Sequence, residues 1–239
     1  MDIFALSALT LVASVIGTVS GFGLSTIMIP VLVLFYSPIE AIYVTAIVHW
    51  FGDVWKVVIF PRAVRWRLFV PFAVAGLVAA VIGATFTVDV RHDLLLRLLG
   101  AFLLAYAVFL FTHHTLHIRS RRTTALVGGG LSGLAAGMFG VGGPIRSVFI
   151  SAFNLPKASY IATLGAIGIV VDVARVATYA GSGVQLSGRL WWSLVVLVPI
   201  SFLGAELAKK IVTKISQRMF RVFIAVLVLV VGVKLLIWG

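Results

Sequence analysis

The chain contains no cysteine, and charged residues are scarce, acidic ones above all. Among its 239 residues are only seven acidic and 19 basic ones, together 11% of the chain. Without cysteine, disulfide bonds, thiolate metal sites and cysteine nucleophiles are excluded. By contrast, 62% of the residues are hydrophobic and the mean hydropathy is +1.17. Several apolar runs exceed the ~18 residues that mark a spanning helix, so the sequence predicts an all-α, polytopic helical membrane protein.

The sequence also lacks the motifs that carry common enzyme chemistry. It has no H-E-x-x-H zinc motif, no G-x-x-x-x-G-K phosphate loop and no G-x-S-x-G nucleophile turn. We therefore expect no enzyme activity, no metal site and no cofactor. The formal net charge of +12 would indicate nucleic-acid binding in a soluble protein. In a membrane protein, however, Lys and Arg collect in cytoplasmic loops, so we expect no nucleic-acid partner.

Ten apolar segments follow one another and form two sets of five. The first set covers residues 1–112 and the second covers 124–239, with a polar connector at 113–123. At ~1.5 Å per residue, the second and seventh segments are too short to span a bilayer as straight helices. The pattern leaves two alternatives for each half, five spans or three spans with a re-entrant hairpin, and predicts 8–10 helices. The segments lie at roughly 3–20, 24–36, 40–60, 67–88, 93–112, 124–139, 143–153, 157–180, 190–209 and 217–238.

The two sets resemble each other in sequence, which predicts an internal repeat. Residues 21–23 (GFG) correspond to 140–142 (GVG), and 53–57 (DVWKV) correspond to 172–176 (DVARV), both at an offset of 119 residues. Corresponding breaks in two halves are typical of transporters built from repeats. Since each half would cross the membrane an odd number of times, we expect the two repeats to be inverted.

Lysine and arginine are concentrated in four loops. All four fall on one side of the membrane if each short glycine-broken pair of segments returns to the side from which it entered, or crosses the membrane twice. That side should be the cytoplasm. We therefore expect a multi-pass protein of the cell (inner) membrane with both termini outside. Eleven of the 19 basic residues lie in these loops: Arg62, Arg65, Arg67, Arg119, Arg121, Arg122, Lys157, Lys209, Lys210, Lys214 and Arg218.

The stretch from Val127 to Ile150 is apolar yet contains eight glycines and a proline. Glycine tolerates positive φ and proline suits a helix start, so these residues predict a break between two helical pieces. The start of the second piece offers unpaired N–H groups and a partial positive charge, which favour an anion. Arg146 would add a charged planar donor, unless it is only an interfacial anchor. We predict an anion site formed by Gly140, Gly142, Gly143, Pro144, Arg146 and Ser147, together with Gly21, Gly23, Ser25 and Thr26 of the first half.

Five ionisable residues are predicted to lie inside the membrane. Asp53 and Lys56 are three residues apart and share a helix face, as do Asp172 and Arg175. His49 lies one turn before Asp53, where a group that titrates near neutral pH could relay a proton. Ionisable groups at this depth pair with one another or serve a function. The sequence leaves both interpretations open, structural ion pairs or proton coupling.

The chain resembles the TauE/SafE sulfite exporters, also called the toluene sulfonate uptake permease family. The resemblance covers nearly the whole chain and rests on two related halves that each open with a glycine-rich break. Its most specific part is SGLAAGMFGVGGP at Ser132 to Pro144. The first half departs from this motif, because Gly23 is followed by Leu24 and Ser25.

This resemblance implies a secondary transporter that exports small sulfur-containing anions, such as sulfite or organosulfonates. Alternating access would move the anion, with proton coupling as an added hypothesis. An anion channel and a non-transporting membrane scaffold are the alternatives. The expected partners are a small anionic sulfur compound and the lipid bilayer, and a homodimer is left open.

Overall fold

The described part of the chain is helical throughout. A computed structural model of the protein describes residues 1–20, 23–112, 119–211 and 217–238. These residues form ten α-helices and no strand, which confirms the all-α prediction. The helices are α1 (Ile3–Ser20), α2 (Ser25–Leu32), α3 (Pro38–Ile59), α4 (Trp66–Asp89), α5 (His92–Thr112), α6 (Arg122–Phe139), α7 (Gly143–Ser151), α8 (Lys157–Gly181), α9 (Gly188–Ile211) and α10 (Gln217–Trp238).

Five of these helices, α3, α4, α5, α8 and α9, are long and apolar enough to cross a membrane. Their length and composition confirm a polytopic membrane protein. The two short helices are different, because α2 has eight residues and α7 has nine. At 1.5 Å per residue they are about 12 and 14 Å long, far less than the ~30 Å hydrocarbon core. Neither can be a complete helical span.

Local sequence signals explain where several helices begin and end. Pro38 opens α3, where its missing N–H is not needed, and the Ser37 hydroxyl caps the helix by accepting from the Glu40 backbone N–H at 3.4 Å. Gly140 ends α6 in the left-handed region with a φ of 72°, which L-residues rarely adopt. Pro144 then lies in the first turn of α7. The break between α6 and α7 therefore lies where residues 140–144 predict it.

Each short helix folds back along the helix before it. The Tyr36 hydroxyl donates to the Met1 carbonyl at 3.3 Å, and the Thr10 hydroxyl lies 3.9 Å from Met28 Sδ. The sequence separation of the paired residues shrinks towards the turn between α1 and α2, which is the pattern of an antiparallel hairpin. α7 lies against α6 in the same way, because a Cβ at Gly128 would meet Phe149. Of the two alternatives left by the sequence, this geometry favours the hairpin.

Glycines allow α4 and α6 to pack with their backbones close together. Gly129, Gly133 and Gly137 recur every four residues along α6, and a Cβ at any of them would overlap the α4 backbone. Gly83 of α4 faces α6 in the same manner, with the Leu134 carbonyl oxygen 2.6 Å from where its Cβ would be. Small residues at this spacing are the usual means of close helix contact in membranes. Gly128 packs against Phe149 of α7. Four of the eight glycines between residues 127 and 150 therefore serve helix packing.

The helix pairs repeat across the molecule. α4 packs on α6 and α9 packs on α1, while α3 packs on α8 and α5 packs on α10. Two related halves would produce such reciprocal pairing, since α4 and α9, like α1 and α6, hold the same place in each set of five. The division at 1–112, 113–123 and 124–239 stays a prediction, and connector residues 113–118 lie outside the described part.

Because neighbouring helices run antiparallel, the connecting loops lie at two opposite faces of the helix bundle. On one face, the Arg65 backbone N–H donates to the Thr163 hydroxyl at 3.0 Å, near the start of α8. Lys157 and Lys209 meet around a cleft on that same face, which we call the basic face. On the opposite face, the Ser187 N–H donates to Glu40 Oε1 at 3.1 Å. Lys214 lies outside the described residues.

Candidate functional site

A cluster of charged side chains lies buried where α3, α7 and α8 meet. We call it the charged cluster. α3 and α8 run antiparallel here, with a Cβ at Gly165 falling 3.0 Å from the Lys56 Cβ. Each member has at most 7% of its surface exposed. Its members are His49, Asp53 and Lys56 of α3, Arg146 of α7, and Asp172 and Arg175 of α8.

Asp53 lies in the half of the cluster nearer the basic face and contacts the basic side chains there. Its Oδ1 atom lies 2.6 Å from Lys56 Nζ, so the residues that share a helix face do form an ion pair. Its Oδ2 atom lies 3.7 Å from Arg146 Nη1 and 3.6 Å from His49 Nδ1. One carboxylate is therefore surrounded by three basic side chains from two helices.

Asp172 lies in the other half of the cluster and connects α8 to α3. Its Oδ1 atom lies 3.0 Å from Arg175 Nε, one turn along α8. Its Oδ2 atom lies 2.6 Å from His49 Nδ1 on α3, a contact between residues 123 positions apart. An ionised carboxylate only accepts hydrogen bonds, so a hydrogen bond at this contact requires the His49 tautomer with the proton on Nδ1. The histidine is thus the link between the two carboxylates.

Arg146 reaches the cluster because the helical path is broken. α7 starts at Gly143, so Arg146 sits in its first turns and points towards α8. There its Nη1 atom donates to the Leu164 carbonyl oxygen at 3.0 Å. A Cβ at Gly168 would overlap both Asp53 Oδ2 and Arg146 Nη1. The absence of a side chain at position 168 is therefore what gives these two groups room.

Both glycine breaks lie beside the charged cluster. Gly23, with a φ of 81°, precedes α2, and a Cβ on it would overlap His49 Nε2. Gly140 lies near Arg175, whose Nη1 atom would be 3.3 Å from a Cβ at that position. The two left-handed glycines do not correspond in the repeat. At the offset of 119 residues, Gly23 matches Gly142, which has a φ of −97°.

The remaining predicted site residues have different surroundings. Ser25 and Thr26 are buried in the first turn of α2, and Ser147 is buried on α7. Gly142 faces α6, where a Cβ would come within 2.7 Å of Ala136 Cβ, so helix packing by itself explains this glycine. Gly143 and Pro144 form the buried start of α7. Gly21 lies outside the described residues.

The family model for sulfite exporter TauE/SafE matches residues 6–235, nearly the entire chain. The chain belongs to the sulfite exporter TauE/SafE family. It is accordingly a multi-pass membrane protein of an exporter-type transport family for sulfite and related sulfur anions. No curated protein matches it.

For a member of the TauE/SafE family, the charge balance of the cluster is the informative feature. Lys56, Arg146 and Arg175 provide three positive charges against the two carboxylates, so the cluster has a net charge of +1 when His49 is neutral. In addition, Arg146 Nε and Arg175 Nη2 have no hydrogen-bond partner among the described protein atoms. A buried N–H group without an acceptor lowers stability by about 1–3 kcal/mol, so a ligand that accepts hydrogen bonds from these groups is favoured. The cluster can therefore accept a negatively charged ligand.

The same charges make the cluster a poor metal site. Ligand atoms of His49, Asp53 and Asp172 lie within 4.8 Å of one another, which is close enough to surround an ion. Both carboxylates are already paired with cationic side chains, which would repel a divalent cation. Anion binding fits the described residues better.

The sequence did not predict the hydrogen bonds that Arg175 and Tyr179 make with the end of α6. Its Nη1 atom donates to the Ala136 carbonyl at 2.9 Å, and the Tyr179 hydroxyl donates to the Gly137 carbonyl at 2.8 Å. These carbonyls belong to the last turn of α6, and the Ala136 carbonyl also accepts the backbone N–H of Gly140 at 2.8 Å. Tyr179 lies one turn after Arg175 on α8, so the helical spacing was the one available signal.

Proposed function

We propose that the protein is a secondary transporter that exports a small sulfur-containing anion, such as sulfite or an organosulfonate. The excess of buried positive charge in the charged cluster is the observation that supports this function most directly. A transported anion must exchange its hydration shell for fixed donors inside the membrane, where an uncompensated charge is costly. The net charge of +1 and the unpaired guanidinium N–H groups would supply that compensation.

Arg146 is the proposed principal ligand of the anion. It lies beside the broken helix, and the start of α7 contributes a partial positive charge. Its guanidinium contacts Asp53 at 3.7 Å, longer than a hydrogen bond, so this contact can be exchanged for a contact with the anion. Its Nε atom is a second donor that no described protein atom accepts. Ser147, Ser25 and Thr26 would complete the site.

His49 is the proposed proton carrier. Its Nδ1 atom bridges the two halves of the cluster, while its Nε2 atom is buried without a described partner and faces the break at Gly23. Protonation would turn Nε2 into a donor and raise the charge of the cluster from +1 to +2. Both changes favour an anion, so binding of the anion and of a proton would support each other.

Alternating access would expose the charged cluster to one face at a time. The cleft on the basic face contains Lys56, which is a member of the cluster. We assign this face to the cytoplasm because it carries the Lys- and Arg-rich loops. The protein would then lie in the cell (inner) membrane with both termini outside, and it would take up its anion from the cytoplasm. No enzyme activity is part of this proposal.

Flux measurements on purified protein in liposomes test the function. A carrier gives saturable sulfite or methanesulfonate flux and counterflow, whereas a channel follows the membrane potential and a scaffold moves no anion. A charge-assisted hydrogen bond contributes ~1.5–3 kcal/mol, so Arg146→Ala should weaken anion binding by ~10- to 150-fold in calorimetry. Arg146→Lys should recover only part of it, since lysine lacks the planar fork.

Arg91→Ala is the matched control, because Arg91 is a highly exposed arginine on the opposite face. It should leave affinity unchanged. If folded Arg146→Ala binds as tightly as the parent protein, Arg146 is not the anion ligand.

A further inference from the structure

A second cationic site lies at the basic face, where α1, α3, α8 and α9 surround a cleft of about 250 Å³. Three lysines contribute to it, Lys56 of α3, Lys157 at the start of α8 and Lys209 near the end of α9. Lys56 is paired with Asp53. None of the ion pairs found in the described ranges involves Lys157 or Lys209. Two cationic groups of the cleft are thus without an acidic partner there.

Between the lysines the wall of the cleft is apolar. Ile59 and Phe60 form one side, and Ile161 forms another, with small alanines of α8 and α9 between them. Inorganic anions gain nothing from such a wall, because they have no apolar surface to bury. An anion with a hydrocarbon group gains about 0.8 kcal/mol for each CH₂ that leaves water. The combination therefore selects anions that carry an apolar group.

The cleft is large enough for such a group. A cavity of about 150 Å³ holds benzene, so about 250 Å³ leaves space for a ring or a short alkyl chain together with a charged head. The cleft also leads inward, since the Lys56 ammonium that lines it lies 2.6 Å from Asp53 in the charged cluster. A bound anion would thus be one ion pair away from the proposed transport site.

We propose that this cleft is a loading site for a small organic anion in which a sulfonate-like head is joined to a hydrocarbon group. Lys157 and Lys209 attract the head, and Ile59, Phe60 and Ile161 hold the hydrocarbon. The inference rests on the proposed transport function and adds a selectivity step in front of the charged cluster. Hydrocarbon-bearing anions are therefore preferred over inorganic anions of the same charge.

The test is calorimetric binding of linear alkanesulfonates, from methanesulfonate to hexanesulfonate, to the full-length protein in neutral-lipid nanodiscs. Affinity should rise about fourfold per added CH₂, which is ~0.8 kcal/mol converted at ~1.4 kcal/mol per tenfold, until the cleft is full. Ala158→Leu adds bulk to the cleft wall and should flatten this dependence while methanesulfonate still binds. The control Ala101→Leu makes the same change on an exposed position of α5 and should keep the dependence.

Charge variants provide the second arm. Lys157→Gln and Lys209→Gln should each weaken hexanesulfonate binding about two- to fivefold, the range of exposed charge pairs. Arg62→Gln, an exposed loop residue of the same face outside the cleft, should have no effect. Repeating the titration with anionic lipid in the nanodisc distinguishes a small anion from a lipid headgroup. Weakened binding there would mean that lipid occupies the cleft and would overturn the proposal.

Two results separate the inference from the function on which it rests. If methanesulfonate and hexanesulfonate bind equally well, or if Ala158→Leu leaves the chain-length dependence intact, the loading site is wrong although anion transport stands. If the parent protein binds and transports no anion at all, the proposed function itself fails, and the loading site fails with it.

Discussion

Gly168→Ala tests whether the charged cluster is packed as described. Alanine favours a helix by about 1 kcal/mol over glycine, so on propensity alone the change in α8 should be stabilising. A Cβ at position 168, however, would overlap Asp53 Oδ2 and Arg146 Nη1. The carboxylate and the guanidinium would have to separate, and breaking a buried ion pair costs about 3–5 kcal/mol. The expected net change is a loss of about 2–4 kcal/mol.

Gly130→Ala is the matched control, since Gly130 also lies within a helix but has no atom within 4 Å of a Cβ. It should raise the free energy of unfolding by up to about 1 kcal/mol. Thermal unfolding in detergent, followed by tryptophan fluorescence, compares the variants. At about 2–4 °C per kcal/mol for a chain of this size, Gly168→Ala should melt about 4–16 °C below the parent protein. If it melts as high as Gly130→Ala and binds the anion normally, the cluster is not packed as the structure describes it.

Two further predictions concern topology and the ion pairs. Arg121→Cys, introduced into a chain that has no cysteine, should react with impermeant thiol reagents only after the cells are opened, and labelling from the periplasm would reverse the assigned orientation. Asp172→Ala should lower the free energy of unfolding by about 3–5 kcal/mol because it leaves Arg175 buried without its carboxylate. The double variant with Arg175→Ala should lose less than the sum of the two single changes, and simple additivity in the same unfolding assay would show that the pair contributes nothing. Should Asp172→Asn fold well yet abolish the pH dependence of flux, Asp172 carries the proton in place of His49.

The fold could be predicted closely because its elements are local in sequence. α4 runs from Trp66 to Asp89 where the apolar pattern indicates 67–88, and α1 matches its predicted range of 3–20. The second segment, predicted at 24–36, is the exception, since α2 ends at Leu32. Its Tyr36 instead folds back towards Met1, a contact that no periodicity contains. Hydropathy finds the segments, whereas tertiary packing decides how the short ones turn.

The site was predictable only where its contacts are local. Asp53 and Lys56 lie three residues apart on α3, so helical spacing placed them together. The contact of His49 with Asp172 depends on how α3 packs on α8, and the contact of Arg146 with Asp53 depends on where the break directs α7. Such contacts join residues over 90 positions apart, and a single sequence gives no signal for them.

The difference between the two halves follows from the space available in the cluster. At the offset of 119 residues, His49 corresponds to Gly168 and Arg146 corresponds to Ile27. A histidine at position 168 would occupy the space that Asp53 and Arg146 share, so a symmetrical cluster with two histidines cannot be packed. The first half therefore supplies the titratable imidazole and the second supplies the arginine, and both lie within 4 Å of Asp53 Oδ2. Because each half contributes a different part, the arrangement favours one anion site for the whole molecule over one site in each half.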